Sequence, residues 1–265
     1  MNIFLHELKS YGKSTILWSV ALVLVATVFF LLYPSFSKDV EKIKGLMEGF
    51  PEAIRIGMGI TLESFASILG YYSFPFTFVL LIGSIEAMNF GISVVSKEVS
   101  ERTGDFLLTK PIRRRKILTY KIMAIVTLLV ITNIIYIVAT TIIISIVSNK
   151  DYSFQIFFMI SITLLFVQLI FMSLGVAMSV MLPKIKSVLS ISLATVFLFY
   201  FISFLSSKDP NDMISYITPF KYFDPAYIIK NSTYDRPFLI ITLVFIIVSI
   251  TGTYVIYSKR DIHTV

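Results

Sequence analysis

Residues 122–147, IMAIVTLLVITNIIYIVATTIIISIV, contain no charged side chain. An α-helix rises 1.5 Å per residue, so this stretch is longer than the ~30 Å hydrocarbon core of a bilayer. Residues 16–32, ILWSVALVLVATVFFLL, repeat the pattern nearer the N-terminus. They are followed by Tyr33-Pro34 and charged residues, not by a small-residue cleavage motif, and so read as a retained span and not a signal peptide. Six apolar runs emerge along the chain, at Ile16–Tyr33, Tyr71–Val95, Tyr120–Val147, Phe154–Leu182, Val188–Ser206 and Pro237–Tyr257. The composition agrees, with 56% hydrophobic and only 15% charged residues over 265 positions. A soluble domain carries about 25% charged residues because water must be met by something polar. These features predict an all-α integral membrane protein, a single transmembrane domain over residues 1–265 with about six transmembrane helices.

Cysteine is absent and the only histidines, His6 and His263, lie near opposite ends of the chain. Disulfides, thiolate metal sites and His-based triads are thereby excluded, and no metal site is expected. Gly12-Lys13-Ser14 has the letters that close a phosphate-binding loop, but the required glycine five positions earlier is Glu7. No connection between spans on the expected cytosolic side exceeds about two dozen residues, far short of a nucleotide-hydrolysing domain. Any ATP-driven work must draw on another chain.

Lys and Arg counts in the connections set the orientation. The N-terminal segment, the 96–119 loop with Lys121, the 183–187 turn and the C-terminal tail hold 14 basic and 5 acidic residues. The other three connections hold 9 basic and 10 acidic residues, and Glu86 falls within a span. Basic residues gather on the cytosolic side, so both termini are expected there. The formal charge of +7 therefore reflects topology and not nucleic-acid binding. Residues 1–14, MNIFLHELKSYGKS, set Ile3, Phe4 and Leu8 against His6, Glu7 and Lys9, which predicts an N-terminal amphipathic helix in the interface. A charged lead-in to the first span is the simpler alternative. The outer 34–70 segment predicts a short helix after Phe50-Pro51-Glu52. The outer 207–236 segment, with Pro210, Pro219 and Pro225, is too punctuated for one long helix.

The loop after the second span reads SKEVSERTGDFLLTKPIRRRKILTYK over residues 96–121. Glu98 and Arg102 have the favourable order for a helical ion pair, and Glu101 and Asp105 share that spacing. Gly104 permits a turn, Phe106-Leu107-Leu108 puts three apolar residues on a charged loop, and Pro111 precedes the basic run Arg113–Lys116. Such a cluster is either a docking knob or a patch that dips into lipid while the arginines bind anionic headgroups. Physics alone leaves these two readings even.

This loop resembles the first cytosolic loop of type-2 ABC exporter permeases. It is most similar to the group that includes bacitracin-type resistance permeases and the nitrous-oxide-reductase accessory permease. Glu98, Thr103, Gly104, Leu107, Leu108, Pro111, Arg113 or Arg114, Ile117 and Lys121 carry the likeness, with Thr103-Gly104 standing where that family usually has Gly-Thr. The resemblance implies a non-catalytic permease subunit of an ATP-driven exporter in a bacterial cytoplasmic membrane. The loop would fold as a cytosolic coupling helix between spans two and three and dock on a separate cytosolic ABC ATPase. Leu107 and Leu108 would make the apolar contact. Glu98, Arg102 and Asp105 would orient the loop, and Lys110, Pro111, Arg113 and Arg114 would complete its base. Two ATPases and a second permease, identical or paralogous, would form the exporter among membrane lipids. ATP and Mg would sit on the ATPase, leaving this chain without a cofactor.

Glu86 lies twelve residues before Glu98, about 18 Å along a helix and inside the hydrocarbon region. A charge there costs about 2.5–3.5 kcal/mol on insertion scales, so such residues face a bundle interior or water. Glu86 and Asn89 then either line a substrate path or, for the carboxyl, form a structural hydrogen bond with Asn133 or Gln168 on a neighbouring span. Gly175 with Ser179, and Ser190 with Ala194, have small-xxx-small spacing suited to close helix contact, within the bundle or between permeases. The phenylalanines and tyrosines read mostly as lipid-facing or interfacial anchors. Two other functions compete. One is a gradient-driven transporter using Glu86 for proton coupling. The other is an outer-face membrane enzyme using Asp209, Asp212, Asp224 and Asp235.

Overall fold

The computed structural model describes residues 3–51, 54–55, 67–100, 114–147, 152–182, 185–205 and 213–259. The long helices are α1 (Ile3–Lys38), α3 (Ile68–Ser100), α4 (Arg114–Val147), α5 (Phe154–Met181) and α9 (Arg236–Lys259). Each contains a segment long and apolar enough to cross a membrane. A shorter apolar helix, α6 (Val188–Phe204), has 17 residues. Between them lie α2 (Val40–Glu48), α7 (Met213–Ile217), a 3-10 turn (Pro219–Lys221) and α8 (Pro225–Asn231). No strand occurs among the described residues. The fold is therefore the expected all-α integral membrane protein, multi-pass and built from five to six spanning helices.

The helices outrun the predicted spans. The N-terminal stretch is helical, as its pattern suggests, but no break separates it from the first span. Ile3–Lys38 is one helix of 36 residues, about 54 Å long. The basic and acidic residues of its first turns simply extend the rod beyond the apolar slab. Pro34 sits inside this helix. The helix anticipated after Pro51 falls largely outside the described residues.

α3 and α5 form the centre of the bundle and make its most extensive helix pair. α1 and α3 meet on one side, α3 and α6 on another, and α9 lies along α5 with most of its surface exposed. The central pair is tight because glycines face each other. A Cβ on Gly175 would lie 2.7 Å from the Met88 carbonyl oxygen and 3.1 Å from the Ile92 nitrogen. One on Gly91 would collide with the Met172 carbonyl. Gly175 and Ser179 are thus spent inside the subunit, which removes them as a contact between subunits. Ser190 and Ala194 lie on the exposed side of α6. Helix starts follow local rules, with Ser153 accepting from the Ile156 N–H before α5 and Ser187 from the Ser190 N–H before α6.

Phe154, Phe158, Phe197 and Phe201 are exposed, as expected of lipid-facing rings, but a set of central aromatics departs from that expectation. Tyr71, Tyr72, Phe76 and Phe90 of α3, Tyr136 of α4 and Phe157 and Phe171 of α5 are fully buried in protein. α3 is enclosed by neighbours on most sides, which buries these rings, while Phe74 and Phe78 of the same helix stay partly exposed. The 213–235 segment shows why α6 can be short. Thr218 is fully buried and its Oγ1 donates to the Phe199 carbonyl of α6 at 2.8 Å. Phe220 packs its ring against Phe171 and Tyr200. Tyr234 donates from Oη to the Met159 carbonyl at 2.9 Å, and burial pushes its phenol up to about 12, so it remains a donor at physiological pH. The segment packs into the bundle beside α6 and supplies surface that a longer helix would have given. Replacing Thr218 by Val is expected to lower stability by about 1 kcal/mol, and by Ser to restore it, read as the midpoint of unfolding in detergent.

Candidate functional site

Two regions carry the residues singled out from the sequence. In the first, α3 runs to Ser100 and α4 begins at Arg114. Arg102, Thr103, Gly104, Asp105, Leu107, Leu108, Lys110, Pro111 and Arg113 lie between them, outside the described residues. Glu98 and Arg114 are placed on their helices by backbone alone. What the structure gives is the frame of the loop. Arg115 and Lys116 are exposed while Ile117 and Leu118 are buried, so α4 enters the bundle within one turn of the basic run.

That entry is fastened on two sides. Lys121 Nζ of α4 stands 3.3 Å from Glu7 Oε1 of α1, with both side chains nearly buried. Thr119 Oγ1 and Tyr254 Oη of α9 share a hydrogen bond of 2.7 Å. Composition placed Glu7 and Lys121 among the charges of one membrane side, but their pairing depends on how α1 and α4 are rotated.

The second region is a buried polar network at mid-bundle. Glu86 is fully buried, and both carboxylate oxygens are engaged. Thr132 Oγ1 of α4 donates to Oε1 at 2.9 Å, and Gln168 Nε2 of α5 donates to Oε2 at 3.0 Å. Gln168 in turn accepts on Oε1 from Asn133 Nδ2, which also donates to the Leu129 carbonyl at 2.8 Å. Ser19 Oγ of α1 lies 3.5 Å from Thr132 Oγ1. Four helices are thus joined through one acid. Of the expected partners, Gln168 binds Glu86 directly, whereas Asn133 reaches it only through Gln168. Asn89 is half-buried and stands outside the network. Thr132 and Ser19 escaped sequence reading because a helical Thr or Ser satisfies itself on the carbonyl four residues back, as Ser19 also does on Thr15. The one signal was Thr132 sitting next to Asn133.

A second polar cluster lies toward the start of α3. Tyr72 Oη hydrogen-bonds Tyr136 Oη at 2.8 Å and Ser161 Oγ at 3.0 Å. On the bundle surface, α1 and α4 enclose an apolar groove of about 320 Å³ whose lining includes Ile16, Ser19, Val20, Thr27, Ile135 and Ala139. Ser19 therefore touches both the groove and the Glu86 network. Asp224 serves as the N-cap of α8, accepting from the Ala226 N–H at 3.0 Å, and no acidic cluster able to hold a metal occurs among the described residues. Asp209 and Asp212 lie outside the described residues.

Among family models, one described as ABC-2 family transporter protein matches residues 1–262. No curated protein matches the chain.

Proposed function

The chain belongs to the ABC-2 family of transporters, which makes it a transmembrane subunit of an ABC transporter, and on that premise we propose that it works as an export permease driven by separate cytosolic ATPases. Two permeases, identical or paralogous, form the substrate path, and two ATPases dock on the loops over residues 96–121. Both termini lie in the cytosol of a bacterial cell, and ATP and Mg are bound by the ATPase. The subgroup is that of the bacitracin-resistance and nitrous-oxide-reductase accessory permeases, on the strength of the Leu107-Leu108 and Lys110-Pro111 run.

One observation carries this reading. The family match covers the whole bundle, and no connection within these 265 residues is long enough to fold a nucleotide-hydrolysing domain. Residues 101–113 join the central helix α3 to α4 with an apolar cluster between charges, the composition a docking connection would need. Substituting Leu108→Asp places a carboxylate in an apolar contact, which costs several kcal/mol unless the contact opens. Co-purification of the ATPase with the L108D permease is expected to fall about ten-fold or more, with membrane insertion intact. Unchanged association would remove the docking assignment. Because the chain has no native cysteine, Leu108→Cys also gives a single-site crosslink that should capture the ATPase.

A further inference from the structure

The structure holds a buried ion pair at a mechanically informative place. Glu7 lies in the opening turns of α1, and Lys121 lies just inside α4, eight residues after the last residue of the 101–113 segment. Both are close to fully buried, at 9% and 5% exposure. Ion pairs on a surface are worth little and break readily, but a buried pair is kept together because either charge left alone in an apolar setting is costly. A lysine has three donors on a long flexible stem, so it can follow a moving carboxylate without releasing it. On the opposite flank, Thr119 and Tyr254 tie the same turn of α4 to α9.

We propose that Glu7 and Lys121 act as a coupling latch, making α1 travel with the base of α4 whenever the 101–113 segment is displaced. This rests on the reading that an ATPase pushes that segment. Glu7 and Lys121 would act as positioning residues, through the helices they join. The consequence is asymmetric. Motion entering at the loop reaches α1, which faces lipid along much of its length, while the central α3–α5 pair stays locked at Gly91 and Gly175. α1 in turn carries Ser19, which stands beside the Glu86 network and on the α1–α4 groove. α4 itself reaches the Glu86 network through Thr132, and the latch would add α1, and with it Ser19, to that motion.

The test uses the permease assembled with its ATPase in lipid nanodiscs and diluted with unlabelled permease. Spin labels go on cysteines at the exposed positions Lys9 of α1, Arg115 of α4 and Lys186 of the α5–α6 turn. Pulsed electron resonance measures the 9–186 and 115–186 distances without nucleotide and after trapping with ATP and vanadate. In the otherwise native chain, both distances are expected to change together. In E7Q, and in E7Q/K121M, which removes both charges of the pair, the 115–186 change should persist and the 9–186 change should be lost. The swap E7K/K121E should restore it, which a packing defect would not. A 9–186 change that survives in E7Q/K121M, or that the swap fails to restore, overturns the latch and leaves the ATPase reading standing. Absence of any 115–186 change in the native chain overturns both. If E7Q alone fails to assemble, the double variant and the swap decide the matter.

Discussion

A Gly91→Leu chain is expected to insert into the membrane and yet fail to form the folded bundle. Spans insert on their own hydropathy, and helix association follows as a separate step driven by packing, since lipid is as apolar as the helices. The packing step depends on the α3–α5 crossing. A Cβ on Gly91 falls against the Met172 carbonyl, with the Val176 nitrogen at 3.1 Å and the Gly175 Cα at 3.2 Å. All three are backbone atoms, which cannot rotate aside as a side chain would. Even Ala must pry the helices apart, and Leu must open the most extensive helix pair among the described residues. Overpacking costs about 1–3 kcal/mol where side chains can adjust, and here they cannot, so G91L should exceed that range. The measurement is the midpoint of unfolding in mixed micelles. Gly252→Leu on α9 is the matched control, because nothing lies within 4 Å of its Cβ position. Equal midpoints for the two variants would refute the close-contact account.

The second large effect is expected at Glu86, where two substitutions should part company. Glu86→Leu removes both acceptors. Thr132 can turn its hydroxyl to its own helix, as Thr140 and Thr127 do on the carbonyls four residues back. Gln168 has no such refuge, because its Nε2 is held at full burial and its carbonyl is already taken by Asn133. Stranding a buried donor costs about 1–3 kcal/mol, reduced by whatever the acid itself cost to bury. Glu86→Gln keeps an oxygen for Gln168 and offers an N–H to Thr132, whose hydroxyl also accepts. E86Q is therefore expected to assemble normally and to unfold near the native midpoint, while E86L unfolds earlier. Transport by E86Q then tests function separately. Activity retained assigns the carboxyl to helix joining, and activity lost at native stability assigns it to the substrate path.

The spans were legible because bilayer thickness imposes a length that any charge-free run must meet, and Tyr120–Val147 or Phe154–Leu182 could hardly be placed otherwise. Helix continuity was less so. Nothing in Met1–Ser14 signals that its helix joins the next without a turn. The buried rings are hard to pick out for a related reason: hydropathy sees Tyr72 and Phe157 as apolar, and lipid and protein interior are equally apolar hosts. The Glu86 neighbourhood was half legible. Gln168 stood out because amides are scarce in spans, whereas Thr132 looked like any self-satisfied threonine. Gly175 stood out as small, but its partner Gly91 follows only from how two helices are rotated. The loop at 101–113 is read from its letters and from its likeness to the permease family, with the structure adding the anchored α4 end.

The joined network also sets a schedule for biogenesis. Glu86 leaves the ribosome before either side chain that will hold it, since Thr132 follows by 46 residues and Gln168 by 82. At roughly 5–20 residues per second, the acid waits some 4–16 s for its last partner. It waits on the least apolar of the five long spanning helices. During that interval the nascent second span is the weakest-held part of the chain, and an insertase or a slowed ribosome would matter most there.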